Sequence, residues 1–369
     1  MRSLRASLLP SLTGGVWGWV FLFTSCTSDI PTSSPSDDYT VVTVPITVAF
    51  APDNDAATRA PGDPGTYETL ELPRYLYLYF VAIQSGGNTQ VCQFGNDRGE
   101  VDLSITNPIT PSWTQSTNAD VFPQTEGDVI YCHSGSYQFK VPSGSSTARV
   151  YAVASYEALT NPIVLGTSTE ADVLAMTFDV TNIDIRNHIQ DLYSTPYNYL
   201  NASGKYYAEV RPYSSTPLNL MLYHVAAKVD VKWNVVEDKQ DDYRISYIQA
   251  RKLKQKNCLL FKPTENTWTS ADDAANYSLD LTDNDVGQQW YGRHYYYAIP
   301  YLEANGKYNI HLHILKNGDD KTTYEGTGFN LKLTKTLTTA FAPWIRADLR
   351  FSTDGIMTYD AAEIEKSLD

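Results

Sequence analysis

Charge is scarce in this chain of 369 residues, and what there is leans one way. Asp, Glu, Lys and Arg make up 19% of the residues, and the formal net charge is -14. Nucleic acid and anionic membrane surfaces both reward Lys and Arg, so the composition argues against either as a partner. Cysteine is scarce too, with only Cys26, Cys92, Cys132 and Cys258. If Cys26 is modified, three thiols remain, an odd number that no closed disulfide set can satisfy. Buried free thiols are the main expectation, and a Cys92–Cys132 pair is the alternative. Past the N-terminus, no segment has the length or apolarity of a transmembrane helix. Catalytic signatures are missing as well: no Gly-x-Ser-x-Gly elbow, no phosphate-cradling glycine loop and no zinc-spaced histidine set. With no defensible pair of acids either, a secreted hydrolase is the weakest reading. The chain reads as a non-enzyme that carries no cofactor.

What is present begins with a targeting segment. Residues 1–25 have a basic start at Arg2 and Arg5, then an apolar run from Gly15 to Phe23 that is too short to span a bilayer. Small residues Thr24 and Ser25 precede Cys26, the order of a lipoprotein signal, in which the thiol accepts a diacylglycerol and becomes the new N-terminus. Phe23 is bulkier than the usual residue at its position, and an ordinary cleaved signal with an incidental cysteine is the competing reading. Residues 26–39, polar and rich in Pro and Ser, form a flexible tether.

Beyond the tether, apolar residues recur with a period of two. Val42, Val44, Ile46, Val48 and Phe50 share one face of a first strand, 41–50. Leu76, Leu78, Phe80 and Ala82 stand opposite Tyr77, Tyr79 and Val81 in the next. Similar alternation runs through AKVDVKWNV, YNIHLHIL and WIRADLRF. Such strands bury one face and wet the other, and with hydrophobic residues at 42% the pattern implies antiparallel sheets packed as sandwiches, an all-β fold. Helical signals are confined to RNHIQDLY (186–193) and the C-terminal AAEIEKSL (361–368). A Pro-flanked piece, Arg211 to Pro217, suggests a domain break, giving an N-terminal domain over 40–213 and a C-terminal domain over 214–369.

Few residues suggest chemistry. His311 and His313 lie at i and i+2 on one face of a strand, a spacing that suits a metal, although the polar face of a half-exposed strand accounts for them as well. The tract LTDNDVG (281–287) offers oxygen ligands but lacks the spacing of a calcium loop and reads as a solvated turn. The 27 tyrosines suit sugar stacking, yet they suit strands equally without any ligand. Two features of the N-terminal region say more. Pro45 interrupts an otherwise strong strand and donates no ladder hydrogen bond, so that strand belongs at an edge or beside a break in pairing. The loop that follows, 53–65, is polar with a single basic residue, Arg59, an open site for a trypsin-like protease or else a plain connector.

In this order the features resemble the fimbrillin-type pilus subunits of Bacteroidales. The likeness lies in the lipoprotein signal, the first strand, Thr58-Arg59-Ala60 in a loop, the aliphatic and Tyr strand from Leu72 to Ile83, ARVYAVAS (148–155) and LNLMLYHVAAKVDVKW (218–233). The resemblance implies two tandem transthyretin-like antiparallel β-sandwich domains and a subunit exported as a lipoprotein, with lipid at Cys26. It further implies cutting between Arg59 and Ala60 by an arginine-specific protease and loss of the strand 41–50. A strand from a neighbouring subunit then fills the vacated groove. The partners implied are other pilus subunits and a host surface or glycan, and the location is the outer membrane surface and fimbrium. One departure stands out: the tail from Asp354 has a short β-like stretch (355–359) before a charged, helix-like end. A long alternating donor strand is not evident there, which favours a tip or accessory subunit, or an anchor that keeps its lipid. A lipid-anchored glycan-binding protein of a nutrient-uptake system is the alternative, with Trp113, Trp268 and Trp290 in loop-like contexts.

Overall fold

A computed structural model of the chain describes residues 38–50, 71–116, 130–195, 208–213, 217–235, 237, 243–280, 291–299, 301, 309–316, 319–325, 344–351 and 357–364. Strands dominate, as the alternation requires. The first, β1 (Tyr39–Phe50), buries Val42, Val44, Ile46, Val48 and Phe50, the face that the periodicity selects. β2 (Tyr75–Gln84) and β3 (Thr89–Val91) form a hairpin in which Gly86 and Gly87 take φ of +105° and +86°, a left-handed backbone that glycine adopts without strain. Next come β4 (Gln93–Phe94), β5 (Thr114–Ser116) and two long strands, β6 (Ile130–Pro142) and β7 (Ser145–Ser155). The short β8 (Thr177–Phe178), β9 (Tyr193–Ser194) and β10 (Glu209–Val210) lead to β11 (Leu218–His224).

All of these but β8 join one ten-stranded sheet with the path β3-β2-β7-β9-β11-β1-β6-β4, in which β10 adds to β7 and β5 to β6. The sheet folds over on itself. Phe80 of β2 stacks on Phe139 of β6 with ring centroids 4.5 Å apart, and Phe50 of β1 lies 4.4 Å from Tyr193 of β9. The result is an all-β sandwich with its core between the two halves of one sheet.

The second part contains β12 (Ala227–Val235), β13 (Tyr243–Lys254), β14 (Cys258–Leu259), β15 (Asn276–Asp280), β16 (Tyr291–Ala298), β17 (Asn309–Lys316), β18 (Asp319–Glu325), β19 (Trp344–Phe351) and β20 (Met357–Ile364). They form sheets of order β16-β12-β19-β20 and β15-β13-β17-β18, while β14 reaches back to pair with β8. The stretch LNLMLYHVAAKVDVKW holds two strands. β11 completes the first sheet, buried Val225 and Ala226 follow, and β12 starts in another sheet. The hand-over between sheets therefore falls after His224, later than the Pro-flanked piece at 211–217.

Two sequence expectations need correction. The tail is extended through Ile364, where β20 pairs with β19 from Phe351↔Met357 to Trp344↔Ile364, so Ala361–Ile364 is strand and not helix. Continuous pairing along a sheet overrides the weak helical preference of AAEI. The tyrosine face of β2 is not wet either: every residue from Leu76 to Ala82 is buried. Tyr77 Oη donates to Leu159 O at 3.0 Å, and Tyr79 Oη donates to Asn161 Oδ1 at 3.0 Å.

Among the described residues the α-helices are few and short: α1 (Glu170–Leu174), α2 (Ile183–Asn187) and α3 (Ser270–Ala274). α2 and a following 3₁₀ turn (Ile189–Asp191) fall where RNHIQDLY suggests helix. α1 and α3 have no apolar periodicity to announce them. Their legible signal is the capping box, Thr169 with Asp172 and Thr269 with Asp272. Among the described residues, no helix is long and apolar enough to cross a membrane.

Candidate functional site

The sequence points to β1, and its surroundings can be built residue by residue. β1 pairs antiparallel with β6 along its whole length, from Tyr39↔Pro142 to Phe50↔Tyr131. On its other side it pairs parallel with β11, but only from Ile46↔Leu218 to Phe50↔Leu222. Tyr39–Pro45 thus has one ladder partner among the described residues, and Ile46–Phe50 has two. Pro45, opposite Ser136, is the last residue before the second ladder begins. Its missing N–H marks a break in pairing, as one of the two readings from sequence requires. The other reading, an edge strand, is corrected: β1 is interior to the path, with β6 and β11 on either side.

The buried face of β1 ends in an aromatic socket. Phe50 meets Trp113 edge-on at 5.0 Å, Tyr131 stacked at 5.8 Å and Tyr193 at 4.4 Å. Trp113, loop-like in the sequence, belongs to this socket, and its indole Nε1 donates to Pro73 O at 2.6 Å. Higher up the strand, Tyr137 Oη lies 3.0 Å from His133 Nε2, and burial raises the phenol's pKa above its usual value. On the opposite face, Ala49, Ile130, Cys132 and Met221 form a small second apolar cluster, in which burial also pushes the Cys132 thiol up. Thr47 Oγ1 and Ser134 Oγ lie 2.9 Å apart on that same side.

Magnitudes show what this strand is worth. Burying five side chains of the size of Val42, Val44, Ile46, Val48 and Phe50 contributes roughly 7–15 kcal/mol. Domains are stable by about 5–15 kcal/mol, so β1 is comparable to the whole margin. If β1 leaves, β6 loses a ladder from Tyr131 to Pro142 and β11 loses one from Leu218 to Leu222. Both ladders would then face an open slot with unpaired backbone groups.

The other sequence-selected residues fall as follows. Cys26, Arg59, Ala60, the tract 281–287 and Trp290 lie outside the described residues. His311 and His313 sit on β17, which is interior to its sheet and pairs with β13 and β18. Trp268 is engaged: Nε1 donates to Asp273 Oδ1 at 3.0 Å, and the ring lies 4.7 Å from Tyr301. Cys92, Cys132 and Cys258 are buried and free, so Cys92 and Cys132 are not bonded to each other.

Neither a protein-family model nor a curated protein sequence matches this chain. Solved structures similar to it are fimbrial and candidate adhesion proteins of Bacteroidales. The tip fimbrial protein Mfa3 of Porphyromonas gingivalis, truncated at its C-terminus, shares 12% identity over 88% of this chain and 99% of its own, with a TM-score of 0.40. A fimbrial assembly protein of Parabacteroides distasonis shares 10% identity over 88% and 97%, with a TM-score of 0.38. The fimbrial anchor protein Mfa2 of Porphyromonas gingivalis shares 12% over 88% and 99%, with a TM-score of 0.35. Likeness at this level carries no functional argument.

Proposed function

We propose that the chain is a structural, adhesive subunit of a cell-surface pilus whose first strand is exchanged for a strand from a neighbouring subunit. One observation carries the reading: β1 fills a slot between two strands far from it in sequence, and residues 51–70, with Arg59 among them, follow it. A cut between Arg59 and Ala60 separates β1 covalently from everything downstream while leaving its slot intact. On this reading the lipid at Cys26 delivers the precursor to the outer membrane and leaves with β1. Other pilus subunits are the partners. The chain then comprises two tandem transthyretin-like domains, and a repeated arrangement supports this: β1 is antiparallel to β6 and parallel to β11, as β12 is antiparallel to β16 and parallel to β19.

The tail weighs on position in the pilus. β20 is an edge strand of its sheet, which suits a strand able to leave. In its sequence, MTYDAAEI, alternate residues read Met, Tyr, Ala, Glu and Thr, Asp, Ala, Ile. Neither row matches the five apolar positions that β1 presents. The chain therefore accepts a donor better than it provides one, as a tip or accessory subunit does. The glycan-binding alternative loses support from the burial of Tyr77, Tyr79, Tyr151 and Tyr193.

The test treats purified precursor with an arginine-specific protease and adds a labelled peptide of sequence 39–50. Expected are a new N-terminus at Ala60 and uptake of peptide by cut protein only. No cut at Arg59, or a clean cut with no uptake, overturns the reading.

A further inference from the structure

Outside the β1 slot, one cluster of side chains brings three ligand atoms together. Glu71, His188 and Asp191 each offer one nitrogen or oxygen, and the three atoms lie within 4.8 Å of one another. His188 Nδ1 is 2.9 Å from Glu71 Oε2 and 3.5 Å from Asp191 Oδ2. Local structure fixes the arrangement. Asp191 N donates to His188 O at 3.0 Å, closing a 3₁₀ turn in which side chains at i and i+3 eclipse, so the two residues face the same way. The imidazole is held flat against Tyr156 at 3.9 Å, and the Arg74 guanidinium lies over the same phenol ring at 3.8 Å. Arg74 also donates to Tyr156 Oη.

The decisive detail is angular. His188 Nδ1 is buried and makes no hydrogen bond, although a carboxylate oxygen stands only 2.9 Å away. The nitrogen and the oxygen are close without pointing at each other, as ligands of a shared ion are. Bonds of about 2.1 Å to a divalent ion place adjacent ligand atoms about 3.0 Å apart at octahedral angles and about 3.4 Å at tetrahedral ones. The separations of 2.9 and 3.5 Å lie close to that range, as a common ion requires.

We infer that Glu71, His188 and Asp191 form a binding site for a divalent first-row metal ion, with Zn2+ the best fit to one imidazole and two carboxylates. The ion joins the approach to β2 with the turn before β9, whose Tyr193 packs on Phe50. Glu71 is also the twelfth residue after Arg59, so the metal fastens the segment that becomes N-terminal on cleavage. That last consequence rests on the strand-exchange reading, whereas metal binding does not.

Isothermal titration of chelator-treated full chain with ZnCl2 tests the site. Expected is one saturable site whose Kd weakens at least tenfold in His188→Ala and Asp191→Asn. Glu71→Gln, at the more exposed end, is the variant that keeps the fold, checked by circular dichroism, and it shows a weakened Kd as well. A His311→Ala/His313→Ala variant binds like the wild type. No saturable binding overturns the proposal. Binding that survives His188→Ala and Glu71→Gln, or that vanishes with His311 and His313, overturns it too.

Discussion

At the scale of single residues, the strongest commitment is a buried ion pair. Lys254 Nζ lies 2.9 and 3.0 Å from the two carboxylate oxygens of Asp272, with the residues 3% and 2% exposed. Burial by itself raises the Asp272 pKa, but hydrogen bonds from Lys254 and from Thr269 outweigh it, and the carboxyl is held below its ordinary 3.8. A carboxyl whose folded pKa is depressed contributes stability above its unfolded value and loses it as pH falls through the folded one. Lys254→Met strands that carboxylate in the core and is expected to cost about 3–5 kcal/mol at pH 7 by urea unfolding. The deficit shrinks as pH falls, first because burial without Lys254 raises the stranded carboxyl so that it protonates early, and finally as the wild-type carboxyl protonates below its ordinary 3.8. The double variant Lys254→Met/Asp272→Leu recovers most of the loss, and additive losses count against the pairing. The thiols give a second prediction. Burial pushes Cys92 up to about 12 and raises Cys258 strongly, so neither is alkylated at pH 8 until the protein is unfolded, as peptide mass mapping will show. The inward face of β1 was legible because five aliphatic or aromatic side chains alternate without exception. The tyrosines of β2 were not, since a Tyr with its hydroxyl satisfied by Leu159 or Asn161 looks in sequence like one facing water.

At the scale of elements, β1 behaves as a strand supplied to the fold as much as a part of it. A chain beginning at Ala60 is expected to be unstable alone and to regain cooperative unfolding when the peptide 39–50 is added in trans. The same peptide with Ile46→Asp fails to rescue, because position 46 is 1% exposed and starts the second ladder. Pro45→Val in the intact chain changes stability little, since the position has no β11 partner to gain. Full rescue by the Ile46→Asp peptide rules out the slot as the binding place. Pairing direction was the part that sequence hid. Alternation names the face a strand buries, but the parallel neighbour β11 lies far along the chain and nothing local announces it. The tail shows the same limit: Ala361 and Ala362 favour helix locally, and only the ladder with β19 makes them strand.

At the scale of the whole molecule, two topological halves share one core. The arrangement of β1 with β6 and β11 recurs as β12 with β16 and β19, yet no sequence repeat accompanies it, because strand direction and order constrain alternation and not identity. The halves are stitched together where β14 pairs with β8, where Ser194 Oγ donates to Leu260 O at 2.7 Å, and above all at Phe261. That ring is fully buried, 6.4 Å from Tyr79 of β2 and 5.5 Å from Tyr151 of β7, so the later half supplies part of the first sheet's covering. Together with the segment at Leu159 and Asn161 it covers the tyrosine face of β2, which a reading of two self-contained sandwiches does not foresee. A single hydrophobic cluster runs from Val42 through Phe261 to Tyr301. Phe261→Ala removes the ring from that shared layer and is expected to cost about 3–5 kcal/mol. If the core couples the halves, calorimetry gives one unfolding peak, displaced to lower temperature as a whole in the variant. If the halves fold independently, the variant splits the peak, with the β1-containing part melting first and the remainder unmoved, and the shared core then fails as the unit of stability.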